Sequence, residues 1–164
     1  MSSLIVVNKK KNVKALVISI LIPLLVGFIA AQLTSGTSEI YKSLERPSFA
    51  PPGIVFPIAW TILYILMGIA YYRIWMVGQE GYNIRLQKFF YFAQLFLNFI
   101  WTPIFFYFEM RGLALLDIIL LFLVVLITIA LFNNRDKMSA KLLIPYLLWI
   151  IFAMVLNYSV WSLN

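Results

Sequence analysis

Five long apolar runs, at 15–33, 53–72, 89–108, 113–132 and 142–163, take up most of this chain, and a single charged residue, Asp117, falls inside them. A helix needs about 20 predominantly apolar residues to cross a bilayer at roughly 1.5 Å rise per residue, and each run meets that requirement. The expected fold is an all-α integral membrane protein, a five-transmembrane-helix bundle. The runs are joined by short segments at 34–52, 73–88, 109–112 and 133–141. The shortest, Glu109 to Gly112, forces the third and fourth spans to lie antiparallel and adjacent. A basic segment, 1–14, precedes a single five-helix domain over 15–164.

Composition supports lipid as the solvent. Hydrophobic residues make up 63% of the chain and charged residues 12%, against roughly 45–50% and about 25% in soluble domains. There is no cysteine and no histidine, which excludes disulfides, thiolate nucleophiles, imidazole acid–base chemistry and His/Cys metal or haem ligation. The net charge of +7 is clustered beside apolar runs, a pattern of membrane topology rather than of a nucleic-acid-binding face.

Lys9, Lys10, Lys11 and Lys14 ahead of the first run resemble the start of a secretory signal. The run exceeds the usual h-region of about 7–15 residues, and Ile29-Ala30-Ala31 makes a poor cleavage site. A retained helix is expected. With the N-terminus in the cytoplasm, that side carries Lys9, Lys10, Lys11, Lys14, Arg73, Arg85, Lys88, Arg135, Lys137 and Lys141, and the other only Lys42, Arg46 and Arg111. Ten bases against three place segment 34–52 and the C-terminus outside. A bacterial cytoplasmic membrane suits a chain with no evident presequence.

At helical spacing, three spans carry an aromatic-plus-amide stripe. The second aligns Trp60, Tyr64, Met67 and Tyr71. The third aligns Gln94, Asn98, Trp101 and Phe105, and the fifth Tyr146, Trp149, Ala153 and Asn157. The first span offers a small-residue face of Pro23, Gly27, Ala31 and Thr34. Small residues and amides also serve plain helix packing, and indoles near span ends serve as interfacial anchors, as expected for Trp75 and Trp161. Trp60 and Trp101, however, fall roughly 10 Å below the outer surface at helical rise, and Trp149 lies near mid-membrane. Indoles at that depth predict one shared pocket for a flat, largely apolar ligand. Asp117 is a candidate proton carrier for ion-coupled transport, although the first turns of a helix also favour an anion.

The stretches "RPSFAPPG", "LYILMGIAYYRIW", "QLFLNFIWTPIFF" and "PYLLWIIFAMVLNYSVW" together resemble the TspO/translocator protein family, also called the tryptophan-rich sensory protein or peripheral-type benzodiazepine receptor family. The resemblance covers residues 15 to 164. It implies a five-helix bundle, usually a homodimer, that binds porphyrins, sterols and benzodiazepine-site ligands between its helices, under the loop joining the first two. The positions matching the family's pocket are Trp60, Asn98, Trp101, Trp149 and Ala153, with Tyr41, Pro47 and Pro51 in the loop. Tyr64 and Tyr146 join the set from their stripes. Trp60 and Trp149 match tryptophans linked in bacterial relatives to light-dependent breakdown of protoporphyrin IX. The implied ligand is protoporphyrin IX or a haem-like tetrapyrrole, with no obligatory cofactor and a role in tetrapyrrole or stress signalling. Two positions depart from the pattern: Phe49 stands where the family has tryptophan, and no base follows Tyr158 as the sterol-contact motif requires. Both leave a porphyrin site intact.

Proline fixes φ and removes a donor, so "RPSFAPPG" neither continues a helix nor pairs as a central strand. It is expected to form a stiff strap across the outer mouth. Pro57 falls in the first turns of the second span, where a missing N–H is tolerated, and Trp60 follows beneath the strap.

Overall fold

A computed structural model describes residues 4–33 and 38–164; the side chains of Ser38, Glu39 and Tyr41 lie outside that description, as does Thr34 of the small-residue face. The helices are α1 (Val13–Leu33), α2 (Ser38–Ser43), α3 (Val55–Gln79), α4 (Arg85–Thr102), α5 (Arg111–Asn133), α6 (Lys137–Leu142) and α7 (Ile144–Leu163). A π-helical turn, Pro103–Tyr107, extends α4. Five segments are long and apolar enough to cross a membrane: Val13–Leu33, Val55–Gln79, Arg85–Tyr107, Arg111–Asn133 and Lys137–Leu163. The protein is a five-helix membrane bundle.

Residue placement in α1 is inverted relative to a soluble helix. Its buried residues are Ser19, Pro23 and Ala30, while Val17, Leu21, Leu25 and Phe28 point outward. Small side chains let helix backbones approach, and lipid solvates the large ones. Where α1 crosses α3, an added Cβ on Gly68 would strike the backbone of Ile20 and the carbonyl of Ser19. One on Gly27 would fall inside the ring of Tyr64. The small-residue face therefore packs within the chain at Gly27, whereas Ala31 is exposed.

Helix α3 runs seven residues past the expected 53–72 and carries Arg73 with it. The interior of that end is sealed by Tyr71 stacked on Tyr91, with centroids 4.4 Å apart, and by Tyr91 on Phe132 at 6.2 Å. The π-helical turn has a local cause. Pro103 lacks an N–H and its ring disturbs the preceding turn, and the widened register is closed by Phe108 N–H to Pro103 O at 2.9 Å. At the far end of α5 the chain breaks before re-entering the bundle: Asp136 caps α6, accepting from the Ser139 backbone N–H at 2.8 Å and its hydroxyl at 2.6 Å.

Candidate functional site

Helices α3 and α7 barely approach one another through their backbones, and large side chains span the gap. From α3 come Phe56, Trp60 and Tyr64, spaced four residues apart on one face. From α7 come Tyr146, Trp149 and Phe152, and from α4 comes Asn98. Trp60 stacks on Tyr64 with centroids 5.4 Å apart and meets Tyr146 edge-on at 6.2 Å. It meets Trp149 at 6.4 Å, again edge-on. Trp149 in turn touches Phe56 at 6.1 Å and Phe152 at 5.4 Å. Ala153 is half-buried and packs on the same cluster.

One amide organises the polar side of this group. The Tyr64 hydroxyl donates to Asn98 Oδ1 at 2.7 Å, and Asn98 Nδ2 donates to the Tyr146 hydroxyl at 3.1 Å. The three side chains tie α3, α4 and α7 together, and all are buried. Two side chains stand against this order. The Trp149 indole N–H is buried and has no hydrogen-bond partner among the described residues, a cost of about 1–3 kcal/mol for a group of this kind. Gln94, one turn from Asn98 and fully buried, also leaves both amide atoms unpartnered.

Trp101 is not part of that ring cluster. It stacks on Phe105 at 5.0 Å and donates its indole N–H to Asn157 Oδ1 at 3.1 Å. Asn157 Nδ2 donates onward to the Arg111 carbonyl at 3.0 Å. Among the described residues no ring contact joins Trp101 to Trp60 or Trp149, although all three pack against the same buried core, and Trp101 shares a second cluster with Phe56 and Phe152. The π-helical turn contributes Phe105 and Phe106, which both contact the Trp101 ring. Helix α3 starts at Val55, so Trp60 lies about one and a half turns from the helix start.

The strap lies over the same end. Phe49 meets Phe152 edge-on at 6.4 Å, while Leu44 and Ala50 pack with Phe105, Ala114, Leu156 and Val160. Asn164 clasps the strap, accepting from the Glu45 N–H at 3.1 Å and donating to the Glu45 carbonyl at 3.0 Å. Pro47 closes a turn by accepting from the Ala50 N–H at 3.0 Å. With Leu44, Arg46, Ala50 and Pro52 it lines an open hollow of about 510 Å3. Pro51 is half-buried beside it. Tyr41 belongs to α2, but its side chain lies outside the described residues. Asp117 is buried in the second turn of α5, with Oδ2 unpartnered. Phe56 and Phe152 escaped the sequence reading, although each sits one turn from a tryptophan already singled out.

Five membrane-crossing helices with an indole-and-amide cluster under a prolyl strap define a membrane protein built around an interhelical aromatic site. Residues 19–162 match the model of the TspO/MBR family. The chain is 40% identical to the tryptophan-rich protein TspO of Archaeoglobus fulgidus over 93% of its own length and 99% of that protein's. It is 38% identical to protein CrtK of Rhodobacter capsulatus, covering 85% and 91% of the two chains. It is 36% identical to the translocator protein of Bos taurus, covering 88% and 86%. The chain belongs to the TspO/MBR family.

Proposed function

We propose that this protein is a membrane receptor or carrier for porphyrins, protoporphyrin IX foremost, and related flat hydrophobic molecules, which enter between α3, α4 and α7. The observation that carries the reading is the buried Trp149 N–H, left without a partner among rings that meet at many angles. A flat ligand gains from aromatic faces, and an unpartnered donor beside them gains from a ligand acceptor. Asn98, with its hydroxyl partners, orients the polar edge. The rings fill the gap in the described state, so entry requires them to turn and the strap to lift. Two hydrogen bonds to Asn164, the edge contact of Phe49 and the packing of Leu44 and Ala50 hold that strap and must give way together. The ten-to-three distribution of bases supports a cytoplasmic N-terminus and a strap on the outer face. The family resemblance supports a homodimer and a role in tetrapyrrole or stress signalling.

Titrating the purified protein with protoporphyrin IX should quench tryptophan fluorescence saturably. Trp149→Phe, which keeps the ring and removes the donor, should weaken binding about five- to tenfold. Quenching no greater than that of empty micelles would defeat the reading.

The contact of Trp60 with both Tyr64 and Trp149 favours a second reading, light-dependent porphyrin degradation. A photoexcited porphyrin takes one electron from a neighbouring indole, leaving an indole radical cation, and dissolved oxygen acts as the final oxidant. Illuminated complexes of the native protein should lose the Soret band faster than those of Trp60→Phe. Equal loss in both, and in protein-free micelles, would exclude it.

A further inference from the structure

At the end of the bundle opposite the strap, residues 4–10 fold back as a small hairpin, with Val7 and Lys10 paired through two backbone hydrogen bonds of 2.9 Å. Between this hairpin, α3 and the α5–α6 turn lies a hollow of about 380 Å3. Its apolar lining comes from Val6, Val7, Val77 and Met138. Its charged lining is Arg73, Arg135, Lys137 and Lys141, with a single carboxylate, Asp136. That carboxylate is already taken: Arg73 Nε donates to Oδ2 at 2.6 Å and Nη2 to Oδ1 at 2.9 Å. Asn8, also on the lining, donates to Glu80 at 2.6 Å. Among the described residues Arg135 meets neutral groups, the Asn83 carbonyl at 3.3 Å and the face of Tyr82 at 5.6 Å. Among the described residues neither Lys137 nor Lys141 has a carboxylate within ion-pair distance. One turn of helix separates these two lysines, so they share a face.

From this arrangement we propose that the hollow binds the phosphate of an anionic phospholipid, with Lys137, Lys141 and Arg135 around the phosphate and the valines and Met138 against the glycerol and first acyl carbons. Phosphate alone would need only the bases. The apolar floor, and the position of α6 just ahead of a span that needs about 20 residues to cross, match a molecule that is charged at the membrane surface and greasy below it. A basic pocket between helix ends is a suitable lipid headgroup site.

The test is native mass spectrometry of the detergent-purified protein with phosphatidylglycerol and phosphatidylcholine of identical chains. The native protein should retain the anionic lipid preferentially. Lys137→Gln with Lys141→Gln should cut that preference roughly tenfold. Lys11→Gln with Lys14→Gln, the same change in charge outside the hairpin and the lining of the hollow, should leave it intact. No preference in the native protein, or equal loss in both double variants, would overturn the site. Displacement of the lipid by millimolar inorganic phosphate would overturn the lipid assignment in favour of a free phosphate ligand.

Discussion

Around Arg73, directional contacts dominate. Its guanidinium forks onto Asp136 and donates to the carbonyls of Leu4 at 3.0 Å and Val6 at 3.3 Å. Tyr72 adds its hydroxyl, donating to Ile5 O at 3.1 Å and accepting from the Asn12 N–H at 3.0 Å. Around Trp60, by contrast, ring edges and faces meet at angles from 27° to 81°. Such contacts are worth about 0.5–1.5 kcal/mol each beyond burial and survive rotation far better than a bidentate ion pair does. The basic end thus fixes the helices in register, and the strap end keeps a packing that can be rearranged. A bundle with one pinned end and one adaptable end can admit a ligand without losing its fold.

The sharpest way to break this comparison is at the pinned end. Arg73→Ala leaves the Asp136 carboxylate without its counter-ion and frees the Leu4 and Val6 carbonyls, and should cost about 3 kcal/mol. Chemical denaturation in detergent reads the loss, and limited proteolysis should then cut within residues 4–11. Unchanged protection of that hairpin would show that the lock is not what holds it.

At the adaptable end the largest single loss should come from Asn98→Leu. It takes the acceptor from the Tyr64 hydroxyl and the donor from that of Tyr146, both buried, at about 2 kcal/mol. Gly27→Ala should cost less, about 1–2 kcal/mol, because the new methyl collides with a ring that can turn. Since Tyr64 stacks on Trp60, the substitution should also shift indole emission. A stability loss without any change in emission would mean the backbone, not the ring, gives way.

Acid separates the two ends as well. Burial alone would push the Asp136 carboxyl up, but hydrogen bonds from Arg73 and Ser139 and the guanidinium charge hold it below the ordinary carboxylate range. A depressed folded value gives stability that is fully present above about pH 4 and is lost as pH falls through the folded value. Thermal stability from pH 8 to 5 should therefore be insensitive to this group. Asp136→Asn should lower stability across that range and flatten the fall in stronger acid. A native-like fall in Asp136→Asn would assign the acid response to another carboxylate.

The bundle itself was legible because five apolar runs admit few other folds in a bilayer. The aromatic stripes were legible too, since helical periodicity puts Trp60 with Tyr64 and Tyr146 with Trp149 on common faces. What periodicity cannot give is how one helix is rotated against the next. Trp101 shares a stripe with Asn98 and Phe105, yet that stripe does not tell that its N–H reaches Asn157 on α7. The Arg73–Asp136 lock joins residues 63 apart in sequence and was counted only as topology charge. Its trace was local and small: an aspartate three residues ahead of Ser139, the pattern of a helix cap.

The smallest expected effect is the most discriminating, because it compares two indoles in one membrane half. Trp101 donates to Asn157, and Trp149 donates to nothing among the described residues. Trp101→Phe removes a made hydrogen bond and strands the Asn157 oxygen, for a loss of about 1–2 kcal/mol. Trp149→Phe removes a donor that was already unsatisfied, so the desolvation cost it carried is removed with it. Relief of that cost opposes the packing lost with the smaller ring, so the net change should be under about 1 kcal/mol in either direction. Equal losses in the two variants would mean that Trp149 has a partner in the membrane, a water or a lipid, and that its N–H is not held open for a ligand.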